Sequence, residues 1–364
     1  MVFQPEDERF MARALELAAR GLYTTMPNPR VGCVIVREGK IVGEGWHERA
    51  GEAHAEVHAL RQAGALANGA TAYVTLEPCS HFGRTPPCAQ ALINSGVRHV
   101  VCAMQDPNPL VAGRGLQGLR EAGIETRCGL FENQARQLNE GFVARMERGR
   151  PWLRIKSAAS LDGRTALANG VSQWITSPEA RLDGQHWRAR SCAILTGIGT
   201  VLADAPRLTV RDIELVRQPL RIIVDSQLRC PPDAAVLADG RALIVTCRAD
   251  VTRHDDFTSQ GVEVLHLPGT DNQVDLSALL RELGRRGINE VLTEAGAQLN
   301  GALITAGLAD ALLLYLAPSL LGSSSRGMFD LPALATLTEA PRLTINSLEP
   351  IGPDLRIQGQ FKHN

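Results

Sequence analysis

Two cysteines lie nine positions apart in a loop rich in proline, glycine and histidine, where residues 75–92 read TLEPCSHFGRTPPCAQAL. Upstream, the stretch EAHAEVHAL contains His54 and Glu56. The His54 imidazole with the Cys79 and Cys88 thiolates would give zinc three protein ligands and leave its fourth tetrahedral position open, as in catalytic sites. Bound zinc lowers the pKa of water to about 7, and Glu56 could shuttle the proton without binding the metal. The pattern therefore predicts a catalytic zinc site.

Three other interpretations of these residues stay open. Cys79 and Cys88 could form a disulfide, although the eight cysteines, most of them in apolar strand-like segments, are typical of a reduced cytoplasmic protein. A structural zinc would need a fourth ligand, which His58 or His81 could supply. The two cysteines could also be unrelated buried thiols near a surface histidine.

The motif spacing differs from the general signature of zinc-dependent nucleobase deaminases. That signature is H-x-E followed by P-C-x-x-C, with the glutamate as general acid and base. Here HAE and PC are present, but eight residues separate the cysteines. With this wider loop, HAEVHAL and TLEPCSHFGRTPPC closely resemble the deaminase half of the bifunctional riboflavin-biosynthesis deaminase/reductase family. MPNPRVGCVIV and MQDPNPLVAGRG are typical of the same half, and the resemblance runs from about Phe10 to Gly129.

Strand-like and helix-like segments alternate on both sides of a seam at Arg148–Pro151, where helical periodicity stops and a proline starts an extended segment. The alternation predicts two α/β domains, residues 1–149 and 150–364, the first opening with a hairpin that turns at Glu38–Lys40. The resemblance implies that the first is a cytidine-deaminase-like three-layer α/β/α domain with zinc-dependent pyrimidine deaminase activity. It implies that the second is a dihydrofolate-reductase-like α/β domain with NADPH-dependent reductase activity.

Two loops of the second half carry glycines at strand ends. CAILTGIGTVLADAPRLTVR leads from a strand into Gly197 and Gly199, and EVLTEAGAQLNGAL places Glu294 and Gly296 between a strand and a helix. Backbone N–H groups at such a helix start can bind phosphate. Either loop taken singly could carry glycine for steric reasons alone.

A further glycine-rich stretch, GRGLQG, fits the dinucleotide-binding pattern G-x-G-x-x-G. That pattern requires the glycines to follow a strand directly, whereas Asp106–Pro109 intervene here. We therefore predict a loop that leads into a helix, without nucleotide binding.

The second half resembles the reductase half of the same family from about Pro151 to Gln360, through KSAASLDGRTA, SQWITS, TVLADAPRLTVR, IIVDS and EAGAQLNGALI. The implied NADPH site comprises Ala158, Trp174, Thr200, Asp204, Ser226, Gly296, Ala297, Gln298, Leu299, Asn300, Gly301 and Ala302. The implied substrate site comprises Ser172, Arg188, Leu208, Arg211 and Glu294. The two arginines independently suit recognition of a sugar phosphate. The sequence departs from the family at Ala205 and Ala297, where aspartate and proline are common.

Composition restricts the class of partner. The chain has 364 residues, a net charge of -1 and 44% hydrophobic residues, as expected of a globular protein. Basic runs that would indicate nucleic-acid binding are lacking, the acidic N-terminus does not read as a signal peptide, and no apolar run approaches the roughly 18 residues of a membrane span. We expect a cytoplasmic enzyme acting on a small molecule, without nucleic acid or membrane, and a homo-oligomer is compatible with the sequence.

The resemblance implies two consecutive steps of riboflavin synthesis. The first is hydrolytic deamination of 2,5-diamino-6-ribosylamino-4(3H)-pyrimidinone 5′-phosphate, with Glu56 carrying a proton to the departing ammonia. The second is NADPH-dependent reduction of the ribosyl group to ribityl, giving 5-amino-6-ribitylaminouracil 5′-phosphate. One alternative is a zinc-dependent nucleic-acid editing deaminase with an accessory domain, against which the lack of basic runs and the wide cysteine loop argue. The other is a non-catalytic zinc scaffold with four protein ligands.

Overall fold

A computed structural model of the protein describes residues 3–80, 87–109, 111–249 and 251–362. The chain divides into two compact units, Met1–Gly149 and Arg150–Asn364. Each unit has its own sheet and its own hydrophobic core. The two are therefore described separately.

A five-stranded sheet forms the centre of the first unit, with the spatial order β2-β1-β3-β4-β5. Its strands are β1 (Gly32–Arg37), β2 (Lys40–Trp46), β3 (Thr71–Val74), β4 (His99–Cys102) and β5 (Glu125–Cys128). Strand β1 pairs antiparallel with both β2 and β3, while β3, β4 and β5 run parallel. The predicted hairpin turns at Glu38 and Gly39, which have φ values of 52° and 71°. Positive φ at both central positions is typical of a two-residue type I′ turn.

Helices cover both faces of this sheet. They are α1 (Pro5–Ala19), α2 (Ala55–Ala63), α3 (Cys88–Asn94), α4 (Arg114–Glu121), α5 (Glu132–Leu138) and α6 (Glu140–Arg148). Successive strand side chains point to opposite faces, so Ile35 packs with residues of α2, α3 and α4, whereas Val34 packs with residues of α1, α5 and α6. The first unit thus has three α/β/α layers, and helix α2 and the start of α3 lie on one face.

The second unit contains a nine-stranded sheet, in the order β11-β10-β9-β8-β12-β6-β13-β16-β15. Its strands are β6 (Trp152–Ser160), β8 (Ala193–Gly197), β9 (Leu220–Val224), β10 (Ala242–Thr246), β11 (Glu263–His266), β12 (Glu290–Thr293), β13 (Ala311–Ala317), β15 (Leu343–Ile351) and β16 (Asp354–Phe361). The strands from β11 to β13 run parallel, and β16 and β15 extend the sheet antiparallel. Two short strands, β7 (Arg164–Ala166) and β14 (Arg326–Gly327), pair separately.

In the described residues, five α-helices accompany this sheet: α7 (Pro178–Arg190), α8 (Ile198–Asp204), α9 (Val251–Thr258), α10 (Leu276–Arg285) and α11 (Ala297–Thr305). Core residues from β8 and β9 pack with α10 and α11 in one cluster and with α8 and α9 in another, so helices cover both faces of the parallel part. None of the helices in the described part of the chain has the length and apolar character needed to cross a membrane.

Candidate metal centre and cofactor site

Three potential zinc ligands come together at the starts of two neighbouring helices. His54 is the N-cap residue of α2, Cys79 follows β3, and Cys88 is the first residue of α3. His54 Nδ1 lies 3.2 Å from Cys88 Sγ and 3.6 Å from Cys79 Sγ, and all three ligand atoms lie within 4.8 Å of one another. Tetrahedral zinc, with its usual ligand bonds, would separate nitrogen from sulfur by about 3.6 Å. The three side chains therefore fit a zinc ion.

The Cys79 and Cys88 thiols differ in their pKa values. A hydrogen bond from the Cys88 thiol lowers the pKa of Cys79 to about 4, and the nearby His54 acts in the same direction. That same bond to Cys79, together with burial, raises the pKa of Cys88. The backbone N–H of Cys88 also donates to Cys79 Sγ at 3.3 Å. One thiolate is thus already stabilised, and zinc binding would release the proton of the second thiol.

The alternatives of the sequence can be compared with this geometry. All eight cysteines are free, so Cys79 and Cys88 do not form a disulfide. Among the described residues, the ligand cluster consists of His54 and the two cysteines, without His58. His81 lies outside the described residues. A four-ligand structural site thus finds no support from His58, and three ligands with an open position match a catalytic centre.

Glu56 lies in the first turn of α2, two residues after His54, and its side chain is buried. Burial raises the pKa of Glu56 to about 6, and the nearby charge of Cys79 adds to this effect. A carboxyl group with a pKa near neutrality can both accept and release a proton under working conditions. A proton carrier beside the three potential zinc ligands would need this position and this pKa.

His47 lies beside the candidate metal centre and contacts Asn28, and the sequence motifs single out neither residue. The imidazole of His47 lies edge-on to that of His54, with ring centroids 5.4 Å apart. Its ring nitrogens contact the Ala53 carbonyl oxygen and Asn28 Nδ2, both at 3.1 Å. Burial lowers the pKa of His47, which favours its neutral form. The only sequence signal for Asn28 was its place in the family-typical stretch MPNPRVGCVIV.

In the second unit, residues from four separate segments meet at the carboxyl edge of the sheet. Strands β9, β8, β12 and β6 are neighbours in that order and run parallel. Ser226 follows β9, Thr200 lies just after β8, Glu294 follows β12, and Ala158 lies near the end of β6. Ligands of open α/β sheets bind beyond the carboxyl ends of the strands. The architecture therefore brings these predicted cofactor and substrate residues to one edge.

Glu294 is the centre of a charged cluster at this edge. Arg188 donates to it twice, from Nε at 2.5 Å and from Nη2 at 2.9 Å, and Lys156 Nζ lies 3.9 Å away. Burial alone would raise the pKa of Glu294, but the charges of Arg188, Lys156 and Arg211 lower it to about 2. Arg188 also donates to the Thr209 carbonyl oxygen. Glu294 is therefore ionised. Glu294 and the Thr209 carbonyl together orient the guanidinium of Arg188. The side chain of Arg211, by contrast, is exposed.

Lys156 is not among the predicted site residues, since a lysine in a strand usually faces solvent. The structure instead places it half-buried beside Glu294 and 5.8 Å from the ring centre of Tyr315. Burial lowers the pKa of Lys156. Its neighbours come from β12 and β13, which are distant in sequence, so the local pattern could not reveal them.

The start of α11 presents an open backbone. Gly296 is the N-cap residue, and a Cβ added there would meet no atom within 4 Å. Its neighbours Gln298 and Ala302 are exposed, and Ala297 and Leu299 are half-buried. Asn300 and Gly301 instead pack against their own chain: the Asn300 side-chain amide donates to the Ala295 carbonyl, and a Cβ on Gly301 would lie 1.9 Å from the Asp330 carbonyl oxygen.

The remaining predicted positions lie in loops. Ser172 and Trp174 precede α7, and the guanidinium of Arg181 stacks on the exposed indole of Trp174 at 4.5 Å. Asp204 is the last residue of α8 and is exposed. Leu208 is buried in the core together with residues of α8. Of these four, Trp174 and Asp204 offer exposed surface to a ligand, whereas Leu208 mainly packs.

Comparisons with known proteins assign each half. Residues 4–104 match the cytidine and deoxycytidylate deaminase zinc-binding region, and residues 151–357 match the RibD C-terminal domain. The riboflavin biosynthesis protein RibD of Escherichia coli is 53% identical over 363 residues, covering 96% of this chain and 98% of that protein. The chain belongs to the RibD family.

Two solved structures agree with this membership over both units. RibD of Acinetobacter baumannii (form 1) matches with a TM-score of 0.92 and 45% identity, covering 98% of this chain and 99% of that chain. The diaminohydroxyphosphoribosylaminopyrimidine deaminase/5-amino-6-(5-phosphoribosylamino)uracil reductase of Thermotoga maritima matches with a TM-score of 0.87 and 32% identity, with the same coverage. The predicted fold classes, cytidine-deaminase-like and dihydrofolate-reductase-like, are confirmed.

As a RibD family member, the chain is a bifunctional deaminase and reductase of riboflavin biosynthesis. The predicted zinc dependence of its deaminase half agrees with the matched zinc-binding region, which contains His54 and Cys79 as well as Cys88. The interpretation as a nucleic-acid editing deaminase is not favoured by these relatives.

Proposed function

We propose that residues 1–149 form the deaminase domain and hold one zinc ion per chain on His54, Cys79 and Cys88. The convergence of these three ligand atoms within 4.8 Å is the observation that carries this proposal. When bound, zinc supplies an activated water in the position that the protein leaves open. Residues 150–364 form the reductase domain.

The proposed first substrate is 2,5-diamino-6-ribosylamino-4(3H)-pyrimidinone 5′-phosphate, which loses the amino group at ring carbon 2. The name of the Thermotoga maritima relative supports this choice. Glu56 is the general acid and base: its carboxylate takes a proton from the attacking water and passes it to the departing ammonia. Burial beside Cys79, which brings the pKa of Glu56 to about 6, suits both transfers.

For the second step we propose NADPH as reductant. Its phosphates would contact the N–H groups at the open start of α11, where the helix dipole favours negative charge. The other NADPH contacts would come from the carboxyl edge, at Ala158, Thr200 and Ser226, and from the exposed loop residues Trp174 and Asp204. NADPH supplies the hydride when bound, and the protein positions the reacting carbon.

The charged cluster at the sheet edge suits the ribosyl group. A hydride added to C1′ breaks its bond to the ring oxygen, which must then take up a proton. Glu294, held ionised by Arg188, can accept hydrogen bonds from sugar hydroxyls, while the lowered pKa of Lys156 suits a proton donor to that oxygen. The exposed guanidinium of Arg211 would contact the 5′-phosphate. Ser172 and Leu208 complete the proposed substrate site.

These assignments describe a cytoplasmic enzyme with a small-molecule substrate. Eight free cysteines are compatible with a reducing compartment. Formation of a homo-oligomer stays a prediction, which a hydrodynamic measurement of the purified protein tests.

Product analysis by mass spectrometry tests the proposed function. The purified zinc-loaded protein is incubated with the diaminopyrimidinone phosphate, with and without NADPH. We expect exchange of one amino group for oxygen without NADPH, and further gain of two hydrogens when NADPH is present. Reduction without prior deamination, or deamination that persists after zinc is removed, would contradict the proposal.

A further inference from the structure

The carboxylate of Glu77, two residues before the proposed ligand Cys79, is buried and receives four backbone N–H groups. Oε1 accepts from Gly115 at 2.9 Å and from Leu116 at 3.2 Å. Oε2 accepts from Gly113 at 2.9 Å and from Asp106 at 3.1 Å. The orphan N–H groups at the start of α4 are thus satisfied by an internal carboxylate, which is also the charge that this end of a helix favours.

The residue between Glu77 and Cys79 is held by the same helix. A Cβ on Gly115 would lie 2.0 Å from the carbonyl oxygen of Pro78, so the backbones approach more closely than any other residue type permits. This close approach explains the glycine-rich stretch GRGLQG without a nucleotide: Gly113 donates to Glu77 and Gly115 accommodates Pro78. The predicted loop leading into a helix is present, and its helix start is already occupied.

The opposite side of Cys79 is anchored independently. Its carbonyl oxygen accepts from the Ala89 N–H at 3.2 Å, and its Sγ accepts from the Cys88 N–H at 3.3 Å. Cys79 therefore lies between two helices. Helix α3, which also carries Cys88, contacts Cys79 directly, and α4 contacts the two preceding residues. Its backbone position depends on both helices.

We propose that Glu77 is a positioning residue of the deaminase, which fixes the Cys79 thiolate at the distance from His54 and Cys88 that zinc requires. Glu77 acts through the backbone and need not touch zinc or substrate. This inference rests on the proposed function, in which Cys79 is a zinc ligand. Residues that orient metal ligands typically change metal affinity by 10–100-fold when they are replaced.

Glu77→Gln separates the carboxylate from the size of the side chain. A glutamine has one carbonyl oxygen, so one pair of N–H groups keeps its acceptor while the side-chain NH2 group faces the other pair. Unsatisfied buried donors are costly, and the start of α4 should move away from Pro78. We expect zinc affinity in the full-length protein, measured by competition with a chromogenic chelator, to fall at least about tenfold.

Asp7→Asn is the matched control. Asp7 is a buried carboxylate of the same unit, on the other face of the sheet, where it accepts from Tyr73 and Arg127. It should lower the melting temperature without changing the zinc affinity of the folded protein. Saturating zinc should restore most deaminase turnover in Glu77→Gln, because the groups that contact substrate are intact. A merely structural role would produce neither difference.

Two further variants make every outcome decisive. Gly115→Ala, which pushes on Pro78 without altering any charge, should also weaken zinc binding. Parent-like zinc affinity in Glu77→Gln overturns the proposal. Loss of the fold in both Glu77→Gln and Gly115→Ala also overturns it, because Glu77 would then serve general stability. Cys88→Ser tests the site itself: retained zinc affinity in that variant refutes the ligand set, whereas its loss, with Glu77→Gln unchanged, refutes only the positioning role.

Discussion

Glu56 and the three proposed metal ligands lie side by side, but they should respond differently to substitution. Glu56→Gln keeps the size of the side chain and leaves His54, Cys79 and Cys88 in place, so we expect normal zinc content. Because the amide cannot carry the proton, deaminase kcat should fall by roughly 10²–10⁴-fold. Metal analysis and a deamination assay on one preparation check both statements. Retention of most activity would show that another group moves the proton.

Cys88→Ser should act on the metal instead. Serine offers no thiolate, and the remaining His54 and Cys79 form a poorer zinc site. We expect zinc content after dialysis to fall well below one per chain, and deamination to fall with it. The reductase rate on the deaminated intermediate serves as the internal control and should not change. Stoichiometric zinc in the folded variant would remove Cys88 from the ligand set.

At the scale of single residues, the sequence best indicates those candidate site residues that lie close together along the chain. His54 and Glu56 lie in one short motif, and the two cysteines mark the ends of one loop, so their chemistry can be inferred without a fold. Lys156 and His47 could not be found this way. Their important neighbours, Glu294 for one and His54 for the other, meet them only after strands pair and helices pack.

At the scale of single elements, the start of α11 offers a direct test. Gly296→Val should obstruct a phosphate at the helix start, because the added side chain enters space that is open in the structure. Losing several charge-assisted hydrogen bonds, at roughly 1.5–3 kcal/mol each, would weaken NADPH binding at least about tenfold. Fluorescence titration gives the NADPH dissociation constant.

The melting temperature distinguishes this effect from a change in stability. Since a Cβ at Gly296 meets no neighbour, and its φ of -75° suits other residues, we expect little loss of stability. Deamination should be unaffected. A stable variant with parent-like NADPH affinity would place the cofactor phosphates elsewhere.

A helix with clear end signals can be located from the sequence, whereas a helix without them cannot. Helix α7 (Pro178–Arg190) carries such signals, with Ser177 as its N-cap and a proline in its first turn. Helix α8 lacks them, because it follows β8 directly and begins with Ile198 after a glycine N-cap, so no polar cap or turn separates it from the strand. Helices α5 and α6 are separated only at Asn139, whose side chain binds both backbone groups of Arg30. Such a long-range contact leaves no local signal.

At the scale of the whole molecule, the proposed reductase domain should function alone. A fragment starting at Arg150 keeps the nine-stranded sheet and its core, and the RibD C-terminal domain match lies entirely within it. We expect this fragment to fold, measured by circular dichroism and thermal melting, and to reduce the deaminated intermediate without added zinc. A zinc requirement in the folded fragment would argue against two independent sites.

The overall architecture was predictable mainly through the family resemblance. Alternating strands and helices indicate an α/β class, but they do not determine strand order. Strand β6 is the first of its unit and yet lies between β12 and β13, far along the chain. These pairings depend on contacts between distant segments, and they place Ala158 and Glu294 on neighbouring strand ends.

The most direct test of two chemistries at separate sites compares two variants, each of which should lose one reaction and keep the other. Full-length Glu56→Gln and Gly296→Val are each given the diaminopyrimidinone phosphate and, separately, its deaminated product, with NADPH at a concentration that saturates the parent only. Mass analysis should show that Glu56→Gln fails on the first compound but reduces the second. Gly296→Val should deaminate the first and leave both unreduced. If either variant lost both reactions while remaining folded, the two activities would share a site, and their assignment to residues 1–149 and 150–364 would be wrong.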